Sequence, residues 1–262
     1  MPFHQSDEVR YYTFDSLDEV GVFHAVFTRN GGVSPEPWKS LNLGGLVGDD
    51  LGRVMENRRR CFDCMDRPVE SMYDVWQVHG NDVVFAEAPR PLSQPHLKAD
   101  IILTDKPGVT LFMRFADCVP LFFFDPVRSV VGLAHAGWQG TVKLTASFAI
   151  RAMRERYRSN PKDILAAIGP SIAAHHYEIG GDVASNVREV FGEAANELLI
   201  TSNGIKMSTM LDLWAANKHT LMSSGVTHIE ESRICTACHL EDWYSHRGDR
   251  GKTGRFGAMI SL

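Results

Sequence analysis

Cys118 and His135 are the first residues in this chain whose types and spacing suggest chemistry. The segment Asp125-Pro126-Val127-Arg128-Ser129 reads as a turn between two apolar runs, Val119–Phe124 and Val130–Ala134. If those runs pair antiparallel, paired residue numbers sum to about 253–254, which sets Cys118 opposite His135 or Ala136. A thiol and an imidazole then sit side by side at the open end of a hairpin, preceded by Asp117. Two chemistries suit such a pair. One is ligation of zinc by thiolate and imidazole. The other is a Cys–His nucleophilic dyad. A buried cysteine beside an unrelated histidine is the structural alternative.

His135 opens the run His135-Ala136-Gly137-Trp138-Gln139-Gly140, which leads from a strand end through small residues into a helix. Such a junction offers free backbone N–H groups to an anion. His79 occupies a similar strand-end position in Gln77-Val78-His79-Gly80.

The elements that must position these residues follow from local pattern. Strands are expected at 21–27, 75–78, 83–86, 99–104, 130–134 and 164–168, and the apolar stretch 109–124 is broken only by Arg114 and by Asp117-Cys118. Asp49 or Asp50 caps a helix running to about Met65, with Val54, Cys61, Cys64 and Met65 facing inward. Helices are also expected over 140–157, from Asp182 toward Phe191, and over 209–224 up to Gly225. Strands and helices do not alternate regularly. The expected fold is therefore α+β, with mixed β-sheets or a β-sandwich flanked by helices, as one domain over residues 1–262.

Composition narrows the setting. A net charge of -5 gives no general attraction to nucleic acid or anionic membrane, and no apolar run is long enough to span a bilayer. Five cysteines, with no basic-then-apolar leader, fit reduced thiols in a cytoplasmic protein better than a disulfide framework. No repeat or low-complexity linker divides the chain.

The segments Gln77-Val78-His79-Gly80, Ala116-Asp117-Cys118-Val119-Pro120 and His135-Ala136-Gly137-Trp138 resemble, in order and spacing, those of the laccase-domain family. That family is historically labelled polyphenol oxidase and is now regarded as zinc-dependent purine nucleoside phosphorylases. The likeness extends through Asn30-Gly31-Gly32-Val33-Ser34, Leu41-Asn42-Leu43-Gly44, Glu56-Asn57-Arg58, Ala99-Asp100, Tyr177-Glu178-Ile179-Gly180, Ser245-His246-Arg247 and Thr253-Gly254-Arg255. The resemblance implies one zinc per chain, held by His79, Cys118 and His135. It implies phosphorolysis of adenosine, inosine, guanosine and methylthioadenosine, and deamination of adenosine. The partners are purine nucleosides and phosphate, acted on by a monomer or weak homodimer. Asp117, Cys118 and His135 are the candidate catalytic residues, with Asp117 as a proton shuttle or as the orienter of a ligand histidine. Asn42, Gln77, Gln139 and Arg247 are the candidates for substrate contact. Gln139 stands where the family usually has arginine, so cationic binding of phosphate falls to Arg247, Arg255 or Arg29.

Other readings compete. Copper-dependent phenol oxidation needs several coppers and mostly histidine ligands, which one cysteine and two histidines match poorly. A metal-free cysteine hydrolase would use Cys118 and His135 alone, and a non-catalytic binding domain would keep only the metal. Cys235-Thr236-Ala237-Cys238-His239 has the spacing of a haem attachment, but Cys-Thr there belongs to the family pattern. Cys61-x-x-Cys64, which could pair with it in a four-cysteine site, lies in a helix. His175-His176 in a strand would diverge, which argues against joint metal binding, and His246 in the Ser-His-Arg segment is better placed to reach a substrate. Arg58, Arg59 and Arg60 read as a solvated helix face, with Arg58, the one family position among them, open to a structural role instead.

Overall fold

Alternating apolar residues along the central strands decide the layering. In the computed structural model, which describes residues 2–203 and 207–262, even-numbered Phe122 and Phe124 face one core and odd-numbered Val119, Leu121 and Phe123 face another. The chain runs β1 (Phe3–Ser6), β2 (Val9–Tyr12), α1 (Asp15–Asp18), β3 (Phe23–Phe27), α2 (Leu51–Asp63), β4 (Met72–Tyr73), β5 (Val83–Phe85), β6 (Ile101–Thr104), β7 (Thr110–Phe115), β8 (Val119–Asp125) and β9 (Val130–Ala136). It continues through α3 (Trp138–Val142), α4 (Thr145–Tyr157), β10 (Leu165–Ile168), β11 (Glu178–Ile179), α5 (Gly181–Phe191), α6 (Ala195–Leu198), β12 (Leu199–Asn203), β13 (Met207–Leu211), α7 (Leu213–Ser223), β14 (His228–Glu231) and β15 (Phe256–Ser261).

Two six-stranded sheets stack face to face. One has the order β1-β2-β3-β15-β7-β4 and the other β14-β10-β8-β9-β6-β5. Each mixes antiparallel and parallel pairs. Val26, Leu111, Met113, Phe115 and Ala258 of the first sheet meet Ile102, Phe122, Val131 and Leu133 of the second in the core between them. The outer face of the first sheet is covered by α2 through Cys61 and Phe62. The outer face of the second packs against α4, α5 and α7 through Ala149, Ile150, Val187 and Leu221. The fold is α+β, as the irregular alternation of elements predicts. A small sheet, β11-β13-β12, lies outside both.

Four local expectations change. The apolar stretch 109–124 is two strands, β7 and β8, in different sheets; the chain crosses between sheets at Ala116-Asp117-Cys118, with Asp117 at φ 82°. The helix expected over 140–157 breaks at Leu144, which takes φ 58° between α3 and α4. The helix expected from 209 begins at Leu213, capped by the Asp212 side chain on Ala215 N–H, because the preceding residues pair as β13. The expected strand over 75–78 reduces to a bridge between Trp76 and Lys98.

Candidate metal centre

The β8–β9 register brings the site together, one step away from the spacing argument. Pro120 pairs with His135 and Asp125 with Val130, so paired numbers sum to 255. The strand runs one residue further than expected because Asp125 closes its own turn, accepting the N–H groups of Val127 and Arg128 at 2.9 and 3.0 Å. Cys118 is therefore the diagonal neighbour of His135 on the same face. Its direct opposite is Gly137. A Cβ on Gly137 would lie 2.7 Å from Cys118 Sγ and 3.4 Å from His79 Cδ2, so only glycine leaves room for the sulfur.

Cys118 precedes β8, His135 is near the end of β9, and His79 lies in the loop before β5, which places all three at one end of the second sheet. Their ligand atoms lie within 4.8 Å of one another. His135 is buried and Cys118 half-buried, while His79 is exposed at the mouth.

Asp100, fully buried just before β6, organises the group. Its Oδ1 accepts the His135 Nδ1–H at 2.8 Å and the His79 main-chain N–H at 3.1 Å. Its Oδ2 accepts the N–H groups of Val78 and Gly80 at 3.0 and 2.7 Å. A carboxylate can only accept, so Nδ1 of His135 carries a proton toward Asp100, and Nε2 is the ring atom left for a metal, which would displace the proton that Nε2 holds in the cation. Burial alone would push the Cys118 thiol up, yet the His135 and His79 imidazoles outweigh it and bring it down to about 6. Burial also disfavours the His135 cation, but Cys118 and Asp100 outweigh it and raise that pKa to about 9. Cys118 is thus held as a thiolate, the species that binds metal. One thiolate and two imidazoles, one of them oriented by a carboxylate, fit a zinc ion with a fourth side open to the cleft.

That cleft has a volume of about 740 Å³. Besides the three candidate ligands its lining includes Gln77, Asp117, His246, Arg247 and Arg255, as the sequence suggests, and Arg58, Arg114, Trp76, His96 and Tyr177. Four guanidiniums face one carboxylate, Asp117, so the cleft is cationic in a chain of net charge -5. Among the described residues Arg58, Arg247 and Arg255 have no carboxylate within ion-pair distance. Burial, the largest influence on Arg58, lowers it only to about 10, so it stays charged at neutral pH.

Several expected roles shift. Asp117 does not orient a ligand histidine. Its carboxylate accepts Thr236 Oγ1 at 2.7 Å, Ser245 Oγ at 2.6 Å and the Arg247 N–H at 2.7 Å, tying the C-terminal segment to the base of the hairpin. Asn42 is fully buried and holds the loop Gly44-Gly45 and the Arg255 main chain, so it shapes the cleft wall without lining it. Gln77 lines the cleft, but its amide pairs with the Arg114 main chain at 2.8 and 3.0 Å. Gln139 lies in α3 and is not in the lining. Arg29 is also outside the cleft; it stacks 4.5 Å from Tyr244 and donates to Leu240 and Lys39 carbonyls.

Sequence reasoning missed the roles of Asp100, Arg58 and Arg114. Arg58 falls on the inward stripe Val54, Asn57, Arg58, Cys61, Phe62 of α2, a buried arginine instead of part of a solvated face. Arg114 was visible as a charge interrupting an apolar strand.

Stacked mixed sheets with a Cys–His centre at one end define the chain's class. The family described as multi-copper polyphenol oxidoreductase laccase matches residues 23–262, and the chain belongs to it. Among its relatives is the purine nucleoside phosphorylase YlmD of Bacillus subtilis strain 168, 40% identical over 243 residues covering 90% of this chain and 86% of that protein. Two solved structures share the fold. The Bacillus licheniformis hypothetical protein YfiH superposes with a TM-score of 0.91 at 34% identity, covering 100% of this chain and 99% of that one. YlmD from Geobacillus stearothermophilus does so with a TM-score of 0.90 at 34% identity, covering 99% and 98%.

Proposed function

We propose that this chain is a zinc-dependent purine nucleoside phosphorylase acting on adenosine, inosine, guanosine and methylthioadenosine, and that the same cleft deaminates adenosine. The observation that carries the reading is the meeting of four guanidiniums with the Cys–His centre in one cleft, of a size suited to a small organic ligand. The names of relatives such as B. subtilis YlmD support phosphorolysis. A zinc ion on His79, Cys118 and His135 would supply Lewis-acid polarisation at an open fourth position.

The side chains divide the remaining work. Arg247 and Arg255, with Arg58 behind them, hold the phosphate. Trp76, 48% exposed at the cleft, and Tyr177 offer flat faces to a purine. In phosphorolysis a phosphate oxygen bonds to ribose C1′ as the C1′–N9 bond breaks. The electron pair leaves with the purine, which takes up a proton, and we assign His246 to deliver it. Asp117 is a positioning residue in this scheme. No helix of the described residues is long and apolar enough to cross a membrane, and the five cysteines are unbridged, which supports a cytoplasmic setting.

Copper-dependent phenol oxidation is a weaker reading, because one thiolate and two imidazoles do not make a multicopper cluster. The test incubates zinc-loaded protein with adenosine, with and without phosphate. Ribose 1-phosphate formed only with phosphate, and inosine formed without it, are expected. Neither product from protein carrying stoichiometric zinc at this centre would end the proposal.

A further inference from the structure

A second convergence of ligand-type side chains lies outside the cleft lining. His175 and His176, in the short turn Ala174–His176, meet Cys235 and Cys238, and one ligand atom from each lies within 4.8 Å of all the others. The adjacent histidines do not diverge as they would in a strand. The turn brings their rings to 4.6 Å between centroids. His175 Nε2 is 3.0 Å from Cys238 Sγ, and His176 Nδ1 is 3.6 Å from Cys235 Sγ and 3.5 Å from Cys238 Sγ.

We propose that His175, His176, Cys235 and Cys238 form a closed, four-ligand zinc site, separate from the centre in the cleft. Zinc bonds of about 2.0–2.1 Å to nitrogen and 2.3 Å to sulfur imply tetrahedral edges of roughly 3.3–3.8 Å; the two His176 Nδ1···Sγ separations, 3.5 and 3.6 Å, fall in that range, and the His175 Nε2···Cys238 Sγ separation of 3.0 Å is somewhat shorter. Hydrogen bonding does not account for the arrangement equally well. Nδ1 of His176 faces two sulfurs and has one lone pair or one proton, so it can satisfy only one of them. A single cation at the centre satisfies all four groups. The Cys-x-x-Cys turn is already closed, with Cys238 N–H donating to the Cys235 carbonyl at 3.2 Å. The Ala173 N–H points at Cys235 Sγ from 3.3 Å, the kind of donor that supports a metal-bound thiolate.

The location explains what such a site would do. Residues 232–255 contain no helix or strand, yet they carry His246, Arg247 and Arg255 into the cleft. Long irregular segments in packed proteins need fixing. Zinc would pin the start of this one to the turn before Tyr177, which lines the cleft. Thr236, inside the Cys-x-x-Cys turn, donates to Asp117, and Arg247 reaches back to the Glu178 carbonyl at 3.0 Å. The site is a staple for the recognition wall and has no open coordination position for substrate. It does not depend on the proposed activity.

The test is metal stoichiometry by inductively coupled plasma mass spectrometry, on full-length protein saturated with zinc under a thiol reductant. Two zinc ions per chain are expected in the parent, and one each in Cys118→Ala, Cys238→Ser and His175→Gln. Cys238 and His175 are exposed, so their replacement leaves the core intact, and circular dichroism checks the fold. With cobalt in place of zinc, the thiolate charge-transfer band of Cys238→Ser should fall to about a third of the parent's, since only Cys118 still ligates. Cys238 in the zinc-loaded parent should resist alkylation and become reactive when the metal is chelated. One zinc per chain in the parent, unchanged in Cys238→Ser, would overturn the proposal. A Cys235–Cys238 disulfide persisting under reductant would do the same.

Discussion

Replacing Asp100 by asparagine tests the organisation of the cleft centre without removing a ligand. The Asp100 carboxylate serves four donors, two on each oxygen. Asparagine has one acceptor oxygen, so its NH2 group must face one of the two donor pairs. Turned one way, it abandons the His135 Nδ1–H and the His79 N–H. Turned the other way, it abandons the Val78 and Gly80 N–H groups and loosens the loop that holds His79. Two buried donors without partners cost about 1–3 kcal/mol each, so the metal-free protein should unfold about 2–6 kcal/mol more easily. Loss of the carboxylate behind a ligand histidine typically weakens metal binding about 10- to 100-fold, equal to about 1.4–2.7 kcal/mol. The assay is competition for zinc against a chelator of known affinity, in a Cys238→Ser background so that only the cleft centre is read. Urea unfolding of the metal-free forms gives the stability term separately. Zinc affinity within about twofold of the parent would show that Asp100 does not organise the ligands, and the reasoning would fail.

Gly137→Ala should expel zinc from the cleft centre, because its Cβ would meet Cys118 Sγ at 2.7 Å; retention of one zinc there in a Cys238→Ser background would contradict this. Arg247→Ala should raise KM for phosphate by at least about tenfold with a smaller effect on KM for the nucleoside, checked by initial rates at varied phosphate. Asp74 is fully buried against Arg90 and Arg114. Burial pushes its carboxyl up, but His96, Arg114 and Arg58 outweigh that and hold it well below the usual carboxylate range. A depressed folded-state pKa stabilises above the unfolded value of about 3.9 and is lost as pH falls below it. Asp74→Asn should therefore cost about 3–5 kcal/mol at pH 7, with the gap to the parent narrowing below about pH 4 in denaturation curves. A constant gap from pH 7 to pH 3 would refute that account.

The proximity of Cys118 and His135 was legible because a hairpin turns spacing into nearness. Even so, the count missed by one, since nothing local showed that Asp125 would extend the strand before folding into its own turn. His79 came only from family likeness, as its approach to His135 depends on the β5–β6–β9 order, a long-range pairing. Layering was legible as a class, but the split of 109–124 between two sheets was not, because β7 and β8 are both apolar and differ only in which sheet claims them. The cations were harder still. Arg58 sits on a helix among Arg59 and Arg60, and only its place in the inward stripe separates it from those neighbours. His175 and His176 were judged as strand residues, where side chains alternate; a tight turn reverses that conclusion.

The chain's irregular C-terminal stretch has an evolutionary side. The chemical centre rests on strand ends and a buried carboxylate, where almost any change is costly. Of the cations lining the cleft, His246, Arg247 and Arg255 ride on residues 232–255, which hold one isolated bridge at Cys235 and no ladder of strand pairing. Recognition can therefore be rewritten by substitution or insertion in that stretch while the centre stays in place, and relatives with one scaffold are free to diverge in what they accept.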